Sequence, residues 1–154
     1  MISVCCRLPE ERINKYYKRA LEILYSPELS LRLLPYKTFK NKELCAENLL
    51  FFINKCNNKR AADIVEYAIN KENPMECRKT AIYVISCCPD ITDYEDKMVD
   101  WMCDEDYWIA HTAIQGTSRA GLKSERIMKE VKWLKEEKYK NDSLMQSNLN
   151  RIVF

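Results

Sequence analysis

The chain repeats itself, and the period sets what it can fold into. Cys45, Leu49, Leu50, Ile53 and Cys56 fall on Cys77, Ala81, Ile82, Ile85 and Cys88 at a shift of 32 residues. The same shift of 32 carries Cys77, Thr80, Ala81, Ile82 and Ser86 onto Ile109, Thr112, Ala113, Ile114 and Ser118. Upstream, Ile64-Val65-Glu66-Tyr67-Ala68 overlays Met98-Val99-Asp100-Trp101-Met102 at a shift of 34, the turn between being two residues shorter. A period of this length that holds two helices is the signature of an α-solenoid. Each helix pair has an apolar face that it cannot bury alone, so successive pairs must stack. Only two glycines occur, Gly116 and Gly121, in 154 residues. That leaves little room for the tight turns of an all-β domain or for a glycine-rich phosphate loop.

Helix punctuation runs the length of the chain. Leu8-Pro9-Glu10-Glu11 opens a first helix, with proline at the entry and acids at the positive end of the dipole. Ser26-Pro27-Glu28 starts a short second one that Pro35 stops. Further helices are expected at about 44–55, 60–70, 75–88, 93–103, 106–120, 124–138 and 141–152. Their caps would be Pro74, Thr92, Asp106, Ser124 and Asn141 or Asp142, with Gly121 as a stop. No strand alternation competes. The expected fold is all-α, a single domain over 1–154, built as a right-handed α-solenoid of about four helical hairpins with an extra N-terminal helix.

Eight cysteines stand at 5, 6, 45, 56, 77, 87, 88 and 103, but no CxxC pair occurs and the single histidine is His111. Zinc needs closely spaced nitrogen and sulfur ligands, so neither a metal nor a cofactor is expected. The first dozen residues meet Arg7 and two acids before any long apolar run, unlike a secretory signal. The longest low-polarity run, Ala81 to Cys88, is too short to span a bilayer. The expected setting is therefore the cytoplasm, without membrane contact, where reduced thiols act as small buried hydrophobes.

Asn73-Pro74-Met75-Glu76-Cys77-Arg78-Lys79-Thr80-Ala81 resembles the HEAT-repeat pattern: an amide or acid and a proline, then an apolar–Arg pair, then alanine. Asp106-Tyr107-Trp108-Ile109-Ala110-His111-Thr112-Ala113 follows it in the next repeat, departing at Ala110, where the family places arginine. The resemblance covers about 44–121. It implies a HEAT-like stack, a general-purpose binding scaffold.

Charge is segregated along the chain although the net value is only +2. From Asp90 to Asp106 eight acids face one base, Lys97, a balance of −7. From Arg119 to Lys140 eight bases face four acids, a balance of +4. Asp93, Asp96 and Asp100 lie at i, i+3 and i+7, so they share one helix stripe. The turn Asp104-Glu105-Asp106 then leads into Tyr107 and Trp108. A solvated helix face with an N-cap cluster accounts for such a run. As a site, it is an acidic patch rimmed by aromatics: charge speeds encounter with a basic partner and an aromatic anchors it. The candidate partner-binding residues are thus Asp93, Asp96, Asp100, Asp104, Glu105, Asp106, Tyr107 and Trp108. Calcium would need an EF-hand spacing that is not there. The basic helix at 124–138 reads as a surface helix of the stack, with Ile127, Met128, Val131 and Leu134 on one side.

Catalysis would hang on His111, since every histidine-dependent triad needs it. It reads as a partly buried structural residue beside Trp108, with Cys103 a conceivable neighbour across the hairpin. Trp108-Ile109-Ala110-His111-Thr112-Ala113 is similar to a stretch of the DNA-alkylation-repair glycosylases, with histidine in place of arginine, but no strongly basic groove accompanies it. Binding without catalysis is the expected class, with no direct contact to nucleic acid. Among small helical-repeat chains of this build, the sequence resembles the bacterial immunity proteins that partner contact-dependent growth-inhibition toxins. That resemblance implies a stoichiometric inhibitor seated on a toxin domain, often a nuclease, with the acidic segment standing in for phosphates. A general HEAT-like adaptor is the alternative, and a glycosylase-like enzyme the more distant one.

Overall fold

The computed structural model describes residues 9–26 and 42–153, with side chains described from 46 onward in the second stretch. Among these residues there are eight α-helices and no strand, so the fold is all-α. They are α1 (Glu10–Tyr25), α2 (Lys42–Asn54), α3 (Val65–Ile69), α4 (Met75–Ile85), α5 (Glu95–Met102), α6 (Tyr107–Ala120), α7 (Glu125–Trp133) and α8 (Ser143–Val153). The short helix expected after Ser26-Pro27 lies outside the described residues, as do Cys5, Cys6 and the side chain of Cys45. No described helix is long and apolar enough to cross a membrane.

Helix ends follow local chemistry. The Asp106 carboxylate accepts from the N–H groups of Trp108 and Ile109 at 2.9 and 3.0 Å and starts α6. Ser124 Oγ accepts from Ile127 N–H at 3.3 Å and Asp142 Oδ1 from Met145 N–H at 2.9 Å, so both expected caps form. Gly121 takes φ 68°, the left-handed conformation in which α6 terminates. Three expectations fail. The helix expected from Arg60 begins as a 3-10 turn (Ala61–Asp63), breaks at Ile64 and becomes helical only at Val65. Thr92 caps nothing: it sits inside a second 3-10 turn (Ile91–Tyr94), and α5 starts without a side-chain cap. The helix expected to reach Lys138 is α-helical only to Trp133 and then widens into a π turn, Leu134–Lys138.

Consecutive helices pack as pairs, α1 on α2, α3 on α4 and α5 on α6. The second members also touch in chain order, α2 on α4, α4 on α6 and α6 on α8. Helix α4 is therefore enclosed by α2, α3 and α6, which is why its apolar residues wrap most of its circumference. Cys77, Ala81, Ile82, Val84 and Ile85 are all fully buried. Burial repeats with the sequence. Ile64, Val65, Tyr67 and Ala68 are buried and Glu66 is exposed; Met98, Val99, Trp101 and Met102 are buried and Asp100 is exposed. Ala81 and Ala113, at repeat-equivalent places, have no exposure, as expected where helices approach closely. Burying each of the isoleucines in this core is worth about 1.5–3 kcal/mol.

Among the described residues Arg78 is the one buried arginine, and it closes the end of the five-residue helix α3. The last carbonyls of a helix have no partner within it. Here Glu66 O accepts from Asn70 N–H, Tyr67 O from Asn73 Nδ2 at 2.8 Å and Ala68 O from Arg78 Nε at 3.0 Å. The other end of the Arg78 guanidinium reaches Asp104 of the following hairpin at 3.9 Å. The repeat-equivalent Ala110 is completely buried and makes no such link.

Candidate functional site

The acidic segment is folded against the basic one. Asp96 pairs with Arg126 of α7. Lys138 Nζ donates to the carbonyls of Cys103 and Asp104 at 3.0 and 2.7 Å. The Cys103 thiol lies 3.2 Å from Glu130 of α7, so it faces that carboxylate and not His111. Burial, and then the Glu130 hydrogen bond, push this thiol up to about 12. The basic residues of 119–140 therefore lower the field that the bare count of eight acids suggests.

The eight candidate residues divide by what already holds them. Asp104 is engaged twice, with Arg78 and with the N–H of Asp106 at 2.9 Å. Asp106 spends its carboxylate on the α6 cap. Asp100 pairs with Lys97 at 3.4 Å along α5, an exposed contact. Tyr107 is half-buried, with its ring edge-on to Tyr139 at 6.3 Å. Asp93 and Glu105 are exposed and, among the described residues, enter no ion pair. Trp108 is 48% exposed although it stands in the first turn of α6.

Trp108 is exposed but held. Its ring is edge-on to Tyr107 at 5.2 Å and to His111 at 5.6 Å, and Lys79 Nζ sits 5.6 Å over it. His111 is partly buried, stacks on Tyr107 at 6.4 Å, and places Nε2 3.1 Å from the Asn148 amide of α8. Burial, with Lys79 as the second cause, holds the imidazole below its ordinary value, against a smaller pull from Asp142. The Asp142 carboxyl is itself held low, first by the Met145 N–H. A neutral ring accepting from Asn148 suits this setting. Nothing in the sequence pattern announced Asn148, because its partner lies 37 residues away on another helix.

A concave feature lies between α6 and α8, lined by Gln115, Ser118, Arg119, Asn148 and Arg151. Sequence reasoning missed it: the two arginines sit in unremarkable helical contexts and meet only through docking. Among the described residues no group of three or more His, Cys, Asp or Glu side chains is placed to hold a metal ion. Comparison of the chain with family models, with curated proteins and with solved structures finds no match.

Proposed function

We propose that this chain is a stoichiometric binding protein of the immunity type, working in the cytoplasm, whose helix pairs form a right-handed HEAT-like stack. Support for the stack comes from the chain-order contacts of α2, α4, α6 and α8 and from the matching burial at repeat-equivalent positions. Its partner is a basic protein domain, a toxin, that meets the surface around Trp108, Glu105 and Asp93. The carrying observation is Trp108: a large aromatic, half exposed, with its orientation fixed by Tyr107, His111 and Lys79. A ring already ordered loses little entropy on binding, and tryptophan is the commonest kind of interface anchor. Asp93 and Glu105 supply charge for encounter, whereas Asp104 and Asp106 are occupied in holding the fold and Asp96 is paired with Arg126 at the surface.

The test is coexpression with the product of the neighbouring gene. A one-to-one complex that relieves toxicity is expected. Trp108→Ala is expected to weaken that complex by about 2 kcal/mol or more, roughly thirtyfold, with a smaller loss of stability, about 1 kcal/mol, from its ring contacts. Asp93→Lys with Glu105→Lys should slow association more than it speeds dissociation. A complex indifferent to all three changes would remove this surface from the proposal, and failure to form any complex would remove the immunity reading.

A further inference from the structure

We infer that the cleft between α6 and α8 is a binding site for a phosphate monoester. The cleft has a volume of about 260 Å³, and its lining is Gln115, Ser118 and Arg119 from α6 with Asn148 and Arg151 from α8. Arg119, Arg151 and Ser118 bring hydrogen-bond donors to the opening, and no lining side chain is acidic. The Asn148 N–H groups are engaged by Leu144 O and His111, and the Gln115 amide nitrogen lies 3.4 Å from the same ring nitrogen. Positions 115, 118 and 119, and positions 148 and 151, are neighbours on their helix surfaces, and α6 packs on α8. Docking of the two helices therefore brings two guanidinium groups to one opening.

Arg119 is set in place before any ligand arrives. Its guanidinium lies 4.5 Å over the ring of Tyr83 on α4. It donates to Ser86 Oγ at 2.9 Å, and Ser86 in turn donates to the Tyr83 carbonyl at 2.7 Å. A guanidinium stacked on a ring keeps its remaining edge donors for a bidentate acceptor. Asn148, only 3% exposed, is oriented by the Leu144 carbonyl at 3.0 Å and by His111. Among the described residues neither arginine enters an ion pair.

Charge selects the ligand class. Two guanidinium groups present a charge of two, and a phosphate monoester carries about −1.5 to −2 at neutral pH. A single carboxylate matches only half of that. The cleft shares no residue with the acidic segment, so this inference stands apart from the toxin-binding proposal.

Titration of the full chain with inorganic phosphate at constant ionic strength, followed by NMR of the arginine Nε–H and Asn148 amide signals, tests it. Saturation is expected with a dissociation constant of about a millimolar. Arg151→Gln should weaken binding about tenfold without moving the thermal midpoint, and Arg151→Lys, which keeps charge but not the fork, should fall between. Acetate should bind at least about tenfold more weakly than phosphate. Glycerol 3-phosphate and a phosphoserine in a short neutral peptide then distinguish a metabolite from a modified protein as the source, the tighter of the two naming it. Shifts that never saturate, acetate binding as tightly as phosphate, or undiminished binding by Arg151→Gln would overturn the inference.

Discussion

Replacing Arg78 by methionine isolates the polar part of a buried link. Methionine fills most of the space of the aliphatic stem, so the packing loss is small. What disappears is the Nε donor to Ala68 O, a 3.0 Å bond between groups out of contact with water. A buried carbonyl left without a partner costs about 1–3 kcal/mol. Asp104 also loses its cation; the pair is largely withdrawn from water but loose at 3.9 Å, so this adds on the order of 1 kcal/mol. The Asp106 N–H still serves that carboxylate. The expected total is about 2–3 kcal/mol, a fall in thermal midpoint of about 4–12 °C for a domain of this size. Arg78→Lys should recover the smaller, ionic share and not the larger one, because an ammonium has no donor at the Nε position. Asp104→Asn should cost about 1 kcal/mol alone and much less in the Arg78→Met background. Urea and thermal unfolding followed by circular dichroism measure the four variants against the parent. Arg78→Met within about 0.5 kcal/mol of the parent, or Arg78→Lys as stable as arginine, would show that the carbonyl at the end of α3 is satisfied some other way.

Three other outcomes are expected. Asp106→Ala removes the acceptor for the Trp108 and Ile109 N–H groups and should cost about 1 kcal/mol in urea unfolding, with Asp106→Asn recovering most of it. His111 in the folded chain titrates below its ordinary 6.5, so between the two values the unfolded state holds more protons; stability is complete above 6.5, is lost as pH falls beneath it, and His111→Gln should flatten unfolding midpoints measured across that window. Burial, and next the nearby Asp90, push the Cys88 thiol up to about 12, so Cys88, like Cys103, should resist iodoacetamide at mildly alkaline pH until denaturant is added, as peptide mass mapping would show.

Helix after helix was legible because each rests on interactions within a few residues. Pro9, Asp106, Ser124, Asp142 and Gly121 mark ends by chemistry that needs no distant partner. The two 3-10 turns were not legible, since Arg60 to Asp63 is tied down from outside. Tyr17 of α1 donates to Asp63 Oδ2 at 2.7 Å, and Asp90 accepts from Ala61 N–H at 2.8 Å. The same limit applied to the acidic segment. Of the expected stripe, Asp96 and Asp100 follow from the geometry of α5, whereas Asp93 falls in the 3-10 turn before it. That Asp96 meets Arg126 and that Asp104 meets Arg78 depends on how separate helices dock.

By itself, the amino-acid order determined which positions are apolar, at what period they recur and hence that the chain is helical with a repeated pattern of burial. Those are one-dimensional properties, set by spacing along the chain and by side-chain type. Tertiary structure alone decided which charges cancel, which aromatics are left half in water and which arginines share an opening. Such outcomes depend on contacts between groups about thirty or more residues apart, as with Arg126 and Asp96, His111 and Asn148, or Arg119 and Ser86. A local pattern carries no information about those distances, because they are fixed only when the helices come to rest against one another.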